Sequence, residues 1–377
     1  MKKFLLGLMI FCMTSAAWGD VVYSTTDGKM GLIKISSATS LDLRGVQFSA
    51  TATNPIVGTY WDNGKSRVAF VAPTTDKTTS GDVFRRFDPD DLTKALDQNN
   101  TYLKGVYGTK KIGSVHSGHG IYFISGASIH EYDTNKLTLT RSYTFKSSDV
   151  IPNPQAKDIL VDSMRVYLLM DRGNITSGDS IQRFDGQIAE GTPEYLLWNT
   201  KVSADAMDWL SNGRIGIAHS QGVDILSGGN FQKIISADTN VKAVCKDTGD
   251  GFYYATLSGD NAAIYHYLNG TRTQIFVTNQ VTDTSIKLLH DDNHNNLVAI
   301  IDSGIRIFNM GDMTQVASYT SSQLGGVPYS ISKTTTSGES SSSSSSGCEI
   351  FGLGFVIIPA CFLIFYFSNK RREIFYG

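Results

Sequence analysis

The sequence has few of the residues and motifs on which enzymes and nucleic-acid-binding proteins rely. Of its four cysteines, only Cys245 lies in the central part of the chain, so no disulfide can form within that part. The formal net charge is −2, and the lysines and arginines form no patch or stripe, which argues against nucleic acid as a partner. There is no G-x-S-x-G, H-E-x-x-H or phosphate-loop motif, and no cofactor is predicted.

Helical periodicity is also scarce, and the one helix predicted covers Asp91–Leu96. Thirty-six glycines and an aromatic content of 11% instead indicate many turns and short strands. Apolar residues occupy alternate positions in stretches such as Ile305–Phe308. Val166–Met170 is apolar almost throughout, as expected for a strand that is buried on both faces. The sequence therefore predicts an all-β fold.

One ten-residue stretch occurs twice, as Thr79–Asp88 and as Thr176–Asp185, 97 residues apart. The copies share the pattern T-S-G-D-x-x-x-R-F-D, with seven identities in ten. Weaker versions recur along the chain, and each has a glycine at a predicted tight turn between antiparallel strands: Gly28, Gly81, Gly126, Gly178, Gly222, Gly259 and Gly304. The spacing of these glycines averages 46 residues, close to the length of a four-stranded propeller blade.

The two ends of this repeat array complement each other. In the other blades the strand directly before the turn glycine is the second strand, and Val21–Ser24 holds this place before Gly28. The first blade therefore lacks an innermost strand. Val327–Ile331 follows the seventh blade, where a further innermost strand would begin. We therefore predict that these segments pair and close a ring of seven blades. In this pattern the chain resembles the YVTN-like and WD40-like seven-bladed propellers, although no blade carries the Trp-Asp signature of WD40 repeats.

Both ends of the chain carry predicted targeting segments. Residues 1–19 have a basic start, an apolar run, and Ala17 and Gly19 before the predicted cleavage point, as in a secretory signal peptide. The predicted propeller covers residues 20–332, and a Thr/Ser-rich linker covers residues 333–347. Residues 348–377 contain Ile350–Phe367, an uncharged run just long enough to span a bilayer. The basic cluster behind it, Lys370, Arg371 and Arg372, places the propeller outside the cytoplasm.

This carboxyl-terminal segment resembles the Synerg-CTERM and GlyGly-CTERM sorting signals of bacterial envelope proteins. The residues that carry the resemblance are Gly347, Cys348, the apolar run and the basic cluster. It implies that a sorting protease removes the transmembrane helix, that processing or lipid attachment occurs near Cys348, and that the protein reaches the cell surface. The alternative is an ordinary single-span anchor, which also holds the protein in the membrane.

Departures from the repeat supply the candidate binding site. Blades two and four carry insertions between their second and third strands, at residues 73–78 and 171–175. Such loops share one face of a propeller with the links between blades, and inserted loops on one face often bind ligands. The candidate contact residues on this long-loop face are Asp76, Lys77, Asp171, Arg172 and Asn174. The alternative is that the insertions are tolerated surface loops.

Other polar clusters fit structural roles better than chemical ones. His290–His294 and His116–His119 contain metal-binding residue types, but both fall where a turn between first and second strands is required. Asp82, Asp179 and Asp260 recur before the third strand, and this recurrence predicts that they cap turns. Cys245 is predicted to be an inert buried thiol.

These observations favour a non-catalytic, surface-displayed module that binds a protein or a glycan. The alternative is an envelope enzyme of the propeller type, such as a lactonase or lyase with a metal in the central channel. Acidic and histidine side chains that converge on the channel mouth would favour the enzyme. An apolar or tyrosine-rich rim on the long-loop face would favour the binding module.

Overall fold

The computed structural model describes most of the central part of the chain. Residues 1–19 and 335–377 lie outside the described residues, so the predicted signal peptide, most of the linker and the sorting signal stay predictions. No helix in the described part is long and apolar enough to cross a membrane. The described residues are 20–35, 46–47, 54–62, 65–96, 101–114, 120–133, 138–146, 154–162, 165–171, 178–185, 195–199, 202–228, 230–235, 238, 240–279, 281, 286–292 and 294–334.

The described strands form seven antiparallel sheets, which are the seven blades of a β-propeller. In order from the innermost strand outwards, blade one contains β29 (Pro328–Lys333), β1 (Asp20–Thr25), β2 (Lys29–Lys34) and β3 (Val46–Gln47). Blade two contains β4 (Ile56–Asp62), β5 (Lys65–Ala72), β6 (Gly81–Asp88), β7 (Asp91–Ala95) and β8 (Thr101–Lys104). Blade three contains β9 (Thr109–Ser114), β10 (Gly120–Ser125), β11 (Ser128–Asp133) and β12 (Thr138–Thr144).

The remaining blades repeat the same order. Blade four contains β13 (Gln155–Val161), β14 (Arg165–Asp171), β15 (Asp179–Asp185) and β16 (Tyr195–Asn199). Blade five contains β17 (Ala204–Trp209), β18 (Ile215–His219), β19 (Gly222–Ser227) and β20 (Asn230–Ile235). Blade six contains β21 (Val241–Lys246), β22 (Phe252–Ser258), β23 (Asn261–Leu268) and β24 (Thr271–Thr278). Blade seven contains β25 (Lys287–Asp291), β26 (Asn296–Ile301), β27 (Gly304–Asn309) and β28 (Gln315–Tyr319).

The ring closes as the sequence predicts. β29, near the carboxyl end of the domain, pairs antiparallel with β1, and Val21 lies opposite Lys333. The pairing extends one residue further, because Thr334 N donates to the Asp20 carbonyl at 2.8 Å. A one-turn helix, α1 (Ser321–Leu324), leads into β29. Closure gives blade one its innermost strand, so the edge of β1 is paired instead of being open to other chains.

The hydrophobic core lies between neighbouring blades. Alternate residues of a strand face opposite neighbours, and each blade therefore buries both of its faces. In blade six, Tyr253 and Ala255 pack against Leu297 of blade seven, whereas Tyr254 on the same strand faces blade five. The pattern explains why second strands such as β14 are apolar and buried in their central residues, as predicted for Val166–Met170.

The turn glycines are confirmed at six of the seven positions, where φ is positive: Gly28, Gly81, Gly126, Gly178, Gly222 and Gly259. At Gly81 any larger residue would also clash, because a Cβ built on it would lie 2.1 Å from the Leu103 carbonyl oxygen. The seventh blade differs. There the positive φ angles belong to Asp302 and Ser303, and Gly304 is required instead for a close approach to the carbonyl oxygen of Tyr319.

The helix predicted for Asp91–Leu96 is wrong, because this segment forms strand β7. The outer edge of blade two is divided: β7 pairs with the end of β6, and β8 pairs with the beginning of β6. Leu92 is fully buried in the cluster shared by blades one and two. Pairing with β6 and burial of Leu92 outweigh the weak local helix propensity of a six-residue segment.

Candidate functional site

The innermost strands of all seven blades surround a central cavity of about 360 Å³. The strands of a blade run alternately up and down, so the loop between the second and third strands lies at the same end of the blade as the start of the innermost strand. Every innermost strand therefore begins at the long-loop face. The start of each strand therefore lines the channel opening on that face. Among the described residues the cavity lining includes four lysines and three aspartates: Lys110, Lys111, Lys157, Lys287, Asp158, Asp205 and Asp208.

A β-bulge recurs near the start of the innermost strand in five blades. In each case one residue has no partner on the second strand: Lys110, Lys157, Asp205, Lys242 and Tyr329. A bulge adds local twist and turns the side chain of the extra residue away from the regular alternation. The repeated bulge therefore collects four charged side chains and one tyrosine around the channel opening.

Ion pairs between neighbouring blades neutralise much of this charge. Lys111 of blade three contacts the carboxylate of Asp158 in blade four, and this carboxylate also accepts from Met207 N of blade five at 2.9 Å. Lys242 Nζ lies 3.1 Å from Asp205 Oδ2, which joins blades five and six. These contacts fix the wall of the channel across several blade boundaries.

Lys157 links blades four and five. Its Nζ lies 2.9 Å from Asp179 Oδ2 and 3.6 Å from Asp171 Oδ2, and it donates to the Ala204 carbonyl at 3.0 Å. Because most of its donors are used, Lys157 holds two blades together and contributes little free charge to the channel. Asp171, one of the predicted contact residues, thus takes part in a structural ion pair.

Three charged residues of the cavity lining, Lys110, Lys287 and Asp208, have no ion pair within the described part of the chain. Lys287 is exposed to the channel, and within the described part of the chain it has neither a hydrogen bond nor an ion pair. Loss of hydration beside the surrounding protein lowers the pKa of Lys287, and the positive charge of Lys111 lowers it further. The negative charges of Asp158 and Asp205 raise it. Burial raises the pKa of Asp208 to about 7 although Lys111 lowers it, so this carboxyl group is partly protonated at neutral pH.

The repeated T-S-G-D stretch orders the long-loop face. The fully buried carboxylate of Asp82 accepts from Thr74 N at 2.7 Å, from Gly108 N at 3.0 Å, and from Thr109 N and Oγ1 at 2.7 and 2.6 Å. One aspartate thereby ties the inserted loop of blade two to the first residues of blade three. In blade four, Asp179 likewise bonds the beginning of the next blade, because its Oδ2 accepts from Ala204 N at 2.6 Å. The predicted capping role is confirmed for these two positions.

The other predicted contact residues fall into two groups. Asp76 and Lys77 are exposed at the tip of the β5–β6 loop, and Asp76 Oδ1 accepts from Thr78 N at 2.9 Å. This turn holds the tip in a defined shape without using the Lys77 ammonium group. Arg172 and Asn174 lie outside the described residues, so their position on this face stays a prediction.

The histidine cluster His290–His294 lies in a turn between first and second strands, as expected. His294 Nδ1 is 2.7 Å from Asp291 Oδ2, and His290 Nδ1 is 2.7 Å from Asp292 Oδ1. Asp292 also contacts Lys246 of blade six at 2.7 Å and Lys333 of blade one at 3.5 Å. Burial alone would raise the pKa of Asp292, but hydrogen bonds and charge from His290 and Lys246 hold it well below its usual range. The cluster thus joins three blades.

The turn between β21 and β22 and the cysteine before it have structural roles. Asp247 Oδ2 lies 2.8 Å from His266 Nε2, and Asp247 Oδ1 accepts from Thr248 N at 2.6 Å, which caps the turn. Cys245 is fully buried, and burial raises the pKa of its thiol, as expected for an unreactive cysteine. His116–His119 lies outside the described residues. No group of three His, Cys, Asp or Glu side chains in the described part is arranged to hold a metal ion.

Two solved structures share the fold of this chain at low sequence identity. A protein from Lactobacillus plantarum is 12% identical, with 84% of this chain and 99% of that chain covered, at a TM-score of 0.58. A functionally unknown protein from Desulfotomaculum acetoxidans is also 12% identical, with 82% and 98% covered, at a TM-score of 0.56. No protein-family model and no curated protein matches the sequence. These likenesses support the propeller architecture.

The sequence analysis did not identify the channel residues Lys111, Asp158, Asp208 and Lys287. Three of the five bulge residues are lysines that form the second or third residue of an innermost strand, and this recurrence is the one signal in the sequence. It becomes visible only when the blades are aligned by their innermost strands. The pairing of individual charges across blades has no signal in a single sequence.

Proposed function

We propose that this protein is a non-catalytic binding module and that its ligand, a protein or a glycan, contacts the long-loop face and the channel opening. The observation that carries the proposal is the channel itself. It is concave, it is lined by every blade, and charged side chains collect at its opening on the face with the inserted loops. Pockets with a rigid wall and a few convergent polar groups are the usual form of a binding site.

The enzyme alternative is supported less well by the same residues. A metal-dependent lactonase or lyase would need several carboxylate or histidine ligands that converge in the channel. Asp158 and Asp205 are instead paired with lysines, and two of the described histidines, His290 and His294, contact aspartates at the turn between the first and second strands of blade seven. The rim is not rich in tyrosine either, since Tyr329 is the one tyrosine at the bulge position in the described blades.

The test compares the two faces of the propeller. The purified full-length protein is applied to an array of extracellular glycans and to an array of purified secreted proteins. Asp76→Ala with Lys77→Ala alters the long-loop face. Asp312→Ala is the matched control, because Asp312 caps Thr314 on the opposite face as Asp76 caps Thr78, with Oγ1–Oδ1 distances of 2.7 Å in both turns.

We expect a bound component whose signal falls at least about tenfold for the double variant and is unchanged for the control, as for residues at the centre of an interface. A signal that both variants reduce equally would place the ligand elsewhere. Chemical breakdown of an arrayed glycan would favour the enzyme. The two arrays also separate a protein ligand from a glycan ligand.

We further propose that the propeller is exported and displayed at the cell surface by its terminal segments. The support is the sequence of residues 1–19 and of residues 333–377. Cys348→Ala separates a sorting signal from a plain anchor, because processing or lipid attachment near Cys348 should fail whereas simple anchoring should not change. Mass spectrometry of the native surface protein provides the readout. A carboxyl end still at Gly377 together with an unmodified Cys348 would exclude the sorting signal.

A further inference from the structure

The charge of the channel opening is uneven. Lys111, Lys157 and Lys242 each have a carboxylate partner on the same or a neighbouring blade. Lys110 and Lys287 have no hydrogen-bond or ion-pair partner in the part of the chain that the structure describes. The channel wall therefore presents two ammonium groups whose donors are available.

Lys287 is the better placed of the two. It is the first residue of β25, at the end of the channel that opens on the long-loop face. Its side chain faces the cavity, and the charges that act on it, Lys111, Asp158 and Asp205, come from three other blades. Lys110 is also exposed at the opening, where it is the extra residue of a β-bulge and does not hold a regular strand position.

We propose that the channel opening is an anion subsite, centred on Lys287, that binds the carboxylate group of a small ligand. The proposal rests on the proposed binding function and names the chemistry that the channel recognises. A cavity of about 360 Å³ is at the small end of ligand pockets, which suits a single sugar or a short peptide terminus. Tyr329, the second residue of β29, lines the cavity at the same end and offers aromatic surface to the uncharged part of such a ligand.

The electrostatics of the lining support an anion. Four lysines and three aspartates of the described residues line the cavity. The pKa of Asp208 is raised to about 7 by burial, so at neutral pH part of this carboxyl population is uncharged. The lysines of the lining outnumber the aspartates, and partial protonation of Asp208 adds to this positive excess, whereas the lowered pKa of Lys287 reduces it. A bound carboxylate would also supply Lys287 with the partner that it lacks, in surroundings where a charged hydrogen bond is stronger than in water.

The experiment uses two pairs of probes, each of which differs by one charge. Calorimetric titration of the purified full-length protein compares glucuronate with glucose, and N-acetylalanine with its amide. The carboxylate member of at least one pair is expected to bind with a Kd of about 1 mM or tighter, whereas its neutral partner binds at least about tenfold more weakly. The pair that responds identifies an acidic sugar or a peptide terminus as the source of the carboxylate.

Variants assign the subsite to Lys287. Lys287→Met keeps the length of the side chain and removes its charge, and we expect carboxylate affinity to fall about 10- to 100-fold. Lys287→Arg keeps the charge and should retain measurable binding. Lys233→Met is the control, because Lys233 is an exposed lysine on outer strand β20. Thermal melts of each variant show whether the fold is intact.

The proposal is overturned if neither carboxylate binds, if charged and neutral probes bind equally, or if Lys287→Met and Lys233→Met have the same effect. The comparison of probes needs no variant, so it holds even if Lys287→Met fails to fold. Failure here is distinguishable from failure of the proposed function, which is measured with arrayed macromolecules and with variants of Asp76 and Lys77.

Discussion

Replacement of Asp82 by alanine is expected to destabilise the propeller strongly, because one buried carboxylate satisfies four donors. These donors are the backbone N–H groups of Thr74, Gly108 and Thr109 and the hydroxyl group of Thr109, at distances from 2.6 to 3.0 Å. Alanine leaves three backbone N–H groups without their acceptor next to a side-chain position that is fully buried.

The size of the effect follows from the cost of buried donors without a partner. Each such group costs about 1–3 kcal/mol, and groups near the loop surface recover part of this through water. We therefore expect Asp82→Ala to lower the free energy of unfolding by about 3–5 kcal/mol, which is large for a single substitution. Asp82→Asn keeps the shape and one oxygen acceptor but places an amide against two donors, so its loss should be intermediate.

Urea denaturation followed by circular dichroism measures the change, with Asp76→Ala as the control. Asp76 lies on the same loop and also caps backbone, but it is fully exposed, so its replacement should leave the free energy of unfolding almost unchanged. Equal effects of the two substitutions would refute the reasoning, because they would show that burial of the Asp82 donors is unimportant. A change of less than about 1 kcal/mol for Asp82→Ala would do the same.

Three further predictions test the ring, a turn and an ion cluster. Truncation after Gly325 removes β29 and should destabilise all seven blades together, which hydrogen exchange measures. If only blade one lost protection, ring closure would not be the source of the stability. Gly81→Ala should lower the melting temperature, since its Cβ would meet a backbone carbonyl oxygen, whereas Gly249→Ala, which has open space around it, should not. The lowered pKa of Asp292 contributes stability that is fully present above the ordinary carboxyl pKa and is lost as pH falls through the lowered pKa of the folded protein. Asp292→Asn should therefore show a smaller loss of stability between about pH 5 and pH 2, and equal pH profiles would be inconsistent with this.

Much of the fold could be predicted because its determinants are local. The T-S-G-D repeat, the turn glycines and the alternation of apolar residues each act within one hairpin, so a single sequence displays them. Ring closure could be predicted too, because the missing first strand and the surplus last strand are visible as a shift of register. The failure at Asp91–Leu96 has the opposite cause: pairing with β6 and burial of Leu92 depend on partners that a six-residue window does not contain.

The candidate site also has some features that local sequence determines and others that depend on contacts between blades. The sequence by itself determined the architecture, the face that carries the insertions and the capping role of Asp82 and Asp179, since these depend on repeated hairpin geometry. Only the tertiary structure decided which charges are neutralised, because Lys111 meets Asp158 through contact between blades more than forty residues apart. Lys287 stands out for the same reason: an unpaired charge is defined by what every other blade brings near it, and no local pattern encodes that.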